Sequence, residues 1–162
     1  MADFTIVPLF ERPEYRDEVA QHLWRQWGKN DGQTLAQRLE FINRNSQDPS
    51  LSPDWQNFIA LDGDGQAGAK WLGTASFVQQ DPPCPAPYAP FLGSVYTPEQ
   101  ARHRGIGRAL VARVEAFARS QAVKTLHLWT PDKAHFYAKM GWQEIDSFEK
   151  DGETETIMCK DL

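Results

Sequence analysis

Cysteine is scarce. Cys84 and Cys159 are the only two in 162 residues, too few and too far apart in sequence for a disulfide framework. No segment approaches the roughly 20 consecutive apolar residues that a bilayer helix needs. The opening stretch MADFTIVPLFERPEY has neither a basic leader nor a long apolar run, so no secretory signal is read there. A reduced, cytoplasmic chain with no membrane partner is therefore expected. The histidines at 22, 103, 127 and 135 form no His-x-x-x-His or Glu-x-x-His pair, and no metal is expected. A Gly-x-Ser-x-Gly elbow is missing, which removes that nucleophilic-serine chemistry, and a Gly-Lys-Ser/Thr P-loop is missing too. Excess positive charge is also lacking: 17 basic against 22 acidic side chains give a net charge of -5, which disfavours nucleic acid.

What is there suits one globular domain spanning residues 1–162, at 41% hydrophobic and 24% charged. A chain of this length buries roughly 70% of its unfolded surface without a metal or disulfide staple. The net charge hides an asymmetry. Residues 101–124 hold Arg102, Arg104, Arg108, Arg113, Arg119 and Lys124 against Glu115 alone, a +5 segment in a -10 remainder. An anion site and a cationic solvent face of a helix both fit that pattern.

Apolar spacing predicts a strand at 4–9 and a helix from Pro13 through Tyr15, Val19, Leu23 and Trp27. A second helix carries Leu35, Leu39 and Ile42, and residues 43–54 read as loop. Strands follow at 55–62, 70–80 and 91–97, the first two joined by an Asp/Gly turn and the last preceded by a proline-rich stretch, 81–90. A strong helix at 103–121, a strand at 124–130, a short helix at 131–141 begun by Pro131 and a closing hairpin complete the chain. The order β-α-α-β-β-β-α-β-α-β-β is a mixed α/β (α+β) pattern whose sheet cannot be purely parallel.

The richest stretch is SVYTPEQARHRGIGRALV, 94–111, where a strand leaves through a turn into a glycine-flanked, arginine-rich loop that opens a helix. Unpaired amides and the positive end of the macrodipole favour an anion there. Gly105 and Gly107 remove side chains that would hold a phosphate away, and Arg102, Arg104 and Arg108 offer guanidinium forks. Close helix packing explains the glycines equally simply. The third glycine of a dinucleotide fingerprint is absent.

Arg102-His103-Arg104-Gly105-Ile106-Gly107 resembles the Arg/Gln-x-x-Gly-x-Gly/Ala signature of the GNAT acetyltransferase superfamily, and HFYAKMGWQE (135–144) resembles its C-terminal hallmark. The likeness is densest from about 91 to 145. Pro98-Glu99-Gln100-Ala101-Arg102 carries one residue more than the family's usual turn. The resemblance implies a mostly antiparallel sheet of six to seven strands, splayed at its centre and flanked by about four helices. It implies acetyl-CoA as cosubstrate, its pyrophosphate on Arg104, Gly105, Ile106, Gly107, Arg108 and Ala109 with Arg102 at the loop's start. Pantetheine would pair with Ser94, Val95 and Tyr96, and Asp132 stands near a pantetheine-touching position of relatives. Tyr137 falls where the family places its general acid, and aromatic packing is the plain alternative. Base candidates near the splay are His127, Asp132 and Glu99.

In this fold the acceptor cleft lies by the first two helices, which brings in Trp24 and Trp27, the following Lys29, Asn30 and Asp31, and Tyr88 of the proline-rich stretch. Trp24 and Trp27 fit either core packing or an aromatic wall. The expected reaction is acetyl transfer to a primary amine of a small molecule by direct attack on the thioester. A similarity to actin-type N-terminal acetyltransferases makes a protein N-terminus the runner-up, and a CoA-binding module without turnover is the non-enzymatic alternative. Partners are then acetyl-CoA and an amine, in a monomer or homodimer.

Overall fold

The computed structural model describes residues 3–85 and 87–162; Ala86, within the proline-rich stretch, lies outside the described residues. Among the described residues seven strands form one sheet: β1 (Phe4–Pro8), β2 (Trp55–Asp62), β3 (Trp71–Val78), β4 (Phe91–Tyr96), β5 (Thr125–Thr130), β6 (Gln143–Lys150) and β7 (Glu153–Asp161). Their spatial order is β1-β2-β3-β4-β5-β7-β6. Every neighbouring pair is antiparallel except β4–β5, which is parallel. Among the same residues four α-helices cover the faces: α1 (Arg16–Leu23), α2 (Leu35–Asn45), α3 (Ile106–Ser120) and α4 (Ala134–Ala138). The expected mixed fold, strand count and element order all hold. No helix among the described residues is long and apolar enough to cross a membrane.

Two cores lie on the two faces. Ile106, Leu110, Val111, Val114, Phe117 and Ala118 of α3 recur at helical spacing and pack against Phe58, Leu72, Ala75, Phe77 and Leu126 of the sheet. Each fully buried Leu or Ile contributes about 1.5–3 kcal/mol, so this stripe fixes α3 firmly. On the other face Val19, Ala20 and Leu23 of α1 and Ile42 of α2 meet Trp55, Ile59, Leu61 and Trp71. A reciprocal capping box starts α2: Gln37 N–H donates to Thr34 Oγ1 at 3.1 Å, and Thr34 N–H donates to Gln37 Oε1 at 2.8 Å.

Two helices differ from the sequence expectation. The first is not continuous: a 3₁₀ turn at Pro13–Tyr15 precedes α1, and a π-turn at Trp24–Gly28 follows it. Gly28 sits tightly beneath Gln33, whose Oε1 would lie 2.8 Å from an added Cβ, so the wider turn brings this end close against the next loop. The short helix begins at Ala134, not Pro131. Thr130 Oγ1 accepts the Lys133 N–H at 3.0 Å, which ties the intervening residues into a turn instead.

The feature that positions a site is the contact between β4 and β5. Phe91 pairs with His127, whose N–H donates to Pro90 O at 2.9 Å, and no further pair forms between the two strands among the described residues. The cause lies in β4. Gly93 faces Ser76 and Tyr96 faces Thr74, so β4 holds one residue more than β3 over that span. Ser94 takes up the extra length at φ +52°, a bulge that bends the strand away from β5.

Candidate active site

Beyond the open end of β4, a single 3₁₀ turn (Glu99–Ala101) leads into α3. His103 and Gly105 both have positive φ, +62° and +78°, with Arg104 between them on the ordinary side. Such alternation turns successive N–H groups toward one concave surface. Ala109 N–H makes the first bond into α3, to Gly105 O at 3.0 Å, and no side chain caps that end. The amides of Ile106, Gly107 and Arg108 are thus the unpaired donors of the helix start.

The two glycines act differently. An added Cβ at Gly105 would meet open space, so its role is the left-handed backbone. At Gly107 the same atom would reach Phe136 at 3.5 Å and Thr97 at 3.7 Å, so a large side chain there would collide with α4. The arginines also divide. Arg102 and Arg108 are exposed, with Arg102 Nε donating to Thr97 O at 2.9 Å. Arg104 instead pairs with Asp3 at 3.0 Å and Asp62 at 3.1 Å, which corrects the expectation of a free fork: its cation is engaged by carboxylates just ahead of β1 and at the end of β2, leaving only its amide for an anion.

Between the strands, Val95 packs into the α3-side core while Tyr96 faces α1. Tyr96 stacks on Trp71 at 6.1 Å and meets the edge of Trp27 at 6.4 Å. Tyr137 lies on α4, buried against Phe136 and Trp142 at ring distances of 5.0 and 6.1 Å. Its hydroxyl makes no hydrogen bond among the described residues. Burial, with a smaller effect from Asp132, pushes the phenol well above its ordinary pKa. Asp132 itself is 68% exposed beside Lys133. His127 sits where β4 and β5 still pair, between Tyr88 and Phe91, and is therefore at the closed end of the splay. Glu99 is exposed on the turn after β4.

A splayed parallel pair followed by an uncapped helix start is a fold-level signature, and comparison with known proteins gives it a name. The profile of the acetyltransferase (GNAT) family matches residues 16–142. The chain belongs to this family of acyltransferases. Among solved structures, an aminoglycoside 6'-N-acetyltransferase complexed with coenzyme A superposes with TM-score 0.71 at 16% identity, covering 97% of this chain and 96% of that one. An acetyltransferase from Streptococcus agalactiae gives 0.66 at 20% identity, covering both chains completely. A curated relative, the mouse N-alpha-acetyltransferase 80, is 40% identical over 57 residues. That stretch is 35% of this chain and 18% of the relative, so the chain matches under a fifth of the relative's length.

On the α1/α2 face of this GNAT chain a cavity of about 410 Å³ runs from α2 to β4, with Arg38, Phe41, Trp55, Val78, Asp81 and Ser94 among its walls. A larger hollow of about 500 Å³ on the outer side of α2, lined by Asp31, Gln33, Glu40 and Arg44, touches neither β4 nor β5. The smaller cavity has the better claim because it reaches the bulge. Asp81 was missed in the sequence, where it reads as the first residue of a proline-rich loop. Its Oδ2 would lie 3.7 Å from a Cβ on Gly93, so the carboxyl sits against the strand just ahead of the bulge. Burial raises it to about 6, opposed by the Trp129 indole.

The expected acceptor residues are spread out. Trp24 is engaged by the loop, its Nε1 donating to Gln33 O at 2.6 Å. Trp27, 37% exposed, lies on the Tyr96 edge, and the π-turn keeps the two indoles from forming one aromatic wall. Tyr88 donates to Asp146 Oδ2 at 2.8 Å and leans on His127 at 5.6 Å. Lys150 bridges to Asp31 at 3.1 Å, joining the closing hairpin to the α1–α2 loop.

Proposed function

We propose that this chain transfers an acetyl group from acetyl-CoA to a primary amine of a small acceptor. The observation that carries the reading is the parting of β4 and β5 after one pair, with an uncapped helix start next to the open end. The donor set fits the cosubstrate. Ser94, Val95 and Tyr96 lie past the last β4–β5 pair, and their backbone groups on that side would suit the peptide-like amides of pantetheine, which would lie along β4 as an added strand. Amides of Arg104, Gly105, Ile106, Gly107 and Arg108 suit the pyrophosphate, with Arg102 and Arg108 as exposed cations, whereas the Ala109 N–H expected among them is already bonded to Gly105 O. Asp132, two residues past the end of β5, would meet a pantetheine amide. The coenzyme A complex of the aminoglycoside 6'-N-acetyltransferase supports the same cosubstrate by likeness of fold.

Tyr137 would supply the proton to the departing thiolate. A phenol raised by burial stays protonated at neutral pH, the form a general acid requires. A backbone N–H at the bulge would stabilise the oxyanion. Trp24, Trp27 and Tyr88 would border the acceptor at the mouth rather than line its floor.

A second reading, acetylation of a protein N-terminus, is favoured by the local identity with N-alpha-acetyltransferase 80. Thiol release from acetyl-CoA, measured with small primary amines and with short peptides bearing a free N-terminus, separates the two. Turnover with small amines at least tenfold above that with peptides supports the first reading. The opposite preference overturns it. Tight acetyl-CoA binding with no turnover across both panels supports a binding module without catalysis.

A further inference from the structure

The cavity that reaches β4 has walls of unequal chemistry. Phe41 and Trp55, ring centroids 5.5 Å apart, form an aromatic side with Val78, while Asp81 ends it at the strand. The Asp81 carboxylate accepts no formed hydrogen bond among the described residues. The Trp129 indole N–H is buried beside this carboxylate and favours its charged form, though no hydrogen bond of 3.5 Å or less joins the two. A half-buried carboxylate set against Gly93, one residue from the bulge and with the Trp129 N–H directed toward it, still has acceptor positions open to a cationic visitor.

From this placement we infer that Asp81 is the group that anchors the acceptor's ammonium and takes its proton, and that the acceptor is a primary ammonium compound with an apolar or aromatic body. The inference rests on the acetyl-transfer reading above. One proton passes from R–NH₃⁺ to the Asp81 carboxylate, giving neutral R–NH₂. The nitrogen lone pair forms the C–N bond at the thioester carbonyl, and the C–S bond then breaks with its electrons on sulfur. The thiolate takes the Tyr137 proton, the new amide nitrogen gives up its second proton to return Tyr137 to the phenol, and Asp81 releases its own proton to solvent. Net, an ammonium and a thioester become an amide, a thiol and one proton.

Burial supports the role, since it holds this carboxyl near the pH at which it must accept and release a proton. The other titratable and charged groups around it are Arg38 of α2, Asp54 ahead of β2, Cys84 in the following loop, His127 on the same face of β5 as Trp129, and Asp146 of β6. Cys84 is pushed up to about 11 by burial and by the Asp81 and Asp146 charges, so it does not titrate near neutrality.

The test uses 2-phenylethylamine as the probe. The Asp81 carboxyl is followed by ¹³C NMR against pH in wild type, with and without the probe. Acetyl-CoA affinity and thiol release are measured for wild type, Asp81→Asn and His127→Gln. The inference expects titration near pH 6, moved down by about one unit when the ammonium binds beside it. It also expects turnover in Asp81→Asn to fall about a hundredfold with acetyl-CoA affinity kept within threefold. The acidic limb of the pH profile vanishes in Asp81→Asn and persists in His127→Gln. A carboxyl that titrates near 4 and ignores the probe overturns the inference, as does turnover within twofold of wild type in Asp81→Asn. Failure of wild type to bind acetyl-CoA overturns the acetyl-transfer reading instead, while the carboxyl titration still decides whether Asp81 holds an ammonium.

Discussion

Removal of one carboxylate far from the cavity should loosen the frame that carries the site. Glu115 of α3 accepts from Lys160 Nζ at 3.0 and 3.1 Å and from Trp142 Nε1 at 3.1 Å. Lys160 also donates to Met140 O at 2.7 Å, so a single ammonium ties α3, β7 and the turn after α4 together. The side chains are 7% and 22% exposed. Truncation of one partner of a buried pair costs about 3–5 kcal/mol, because the other charge is left unpaired. Lys160 retains some access to water, which favours the low end, and the orphaned indole N–H adds about 1 kcal/mol. Glu115→Ala should therefore cost about 3–4 kcal/mol in urea unfolding. At about 2–4 °C per kcal/mol for a domain of this size, the melting temperature should fall by about 6–16 °C. Adding Lys160→Met to Glu115→Ala should recover about half of the loss by removing the stranded charge. A loss below 1 kcal/mol, or a double variant worse than the sum of the singles, would refute this account of how α3 is held.

Three further substitutions probe the site itself. Gly107→Trp places an indole where a Cβ already reaches Phe136 at 3.5 Å, so acetyl-CoA affinity measured by calorimetry should fall at least tenfold while far-ultraviolet circular dichroism is unchanged. Tyr137→Phe removes a hydroxyl with no hydrogen bond among the described residues, so unfolding free energy should stay within about 0.5 kcal/mol of wild type while turnover drops at least tenfold. Asp81→Asn should raise stability at pH 7 by about 1–2 kcal/mol, since a carboxyl lifted from 3.8 to about 6 by burial is held ionised at a cost. The sign follows from proton uptake: between about pH 4 and 6 the folded state binds more protons than the unfolded, so this group's penalty grows as pH rises through that window. Urea unfolding at pH 4.5 and 7 checks it; a destabilised Asp81→Asn at pH 7 would contradict the assignment of burial as the cause.

Much of this architecture is legible in the residues because the signals are local. The apolar stripe of α3, the alternation in β5 and the glycine-bearing turn before Ile106 each report a period or a backbone need that neighbours in sequence satisfy. What escaped depends on distant partners. Arg104 looks like a free phosphate ligand until Asp3 and Asp62 arrive from the far edge of the sheet. Trp24 and Trp27 look like one face of a helix until packing at Gly28 and Gln33 widens the turn between them. Asp81 carries no motif at all. Its meaning comes from Gly93 on β4 and Trp129 on β5, brought beside it only when the sheet has formed.

The central claim is that acetyl-CoA enters where β4 and β5 part and rests its phosphates on the start of α3. Amide NMR of the ¹⁵N-labelled protein during an acetyl-CoA titration tests it most directly. The largest shifts should fall on Ser94, Val95 and Tyr96 and on residues 104–109, with the closing hairpin little affected. Shifts confined to the α2 face, or no change at millimolar acetyl-CoA, would contradict it.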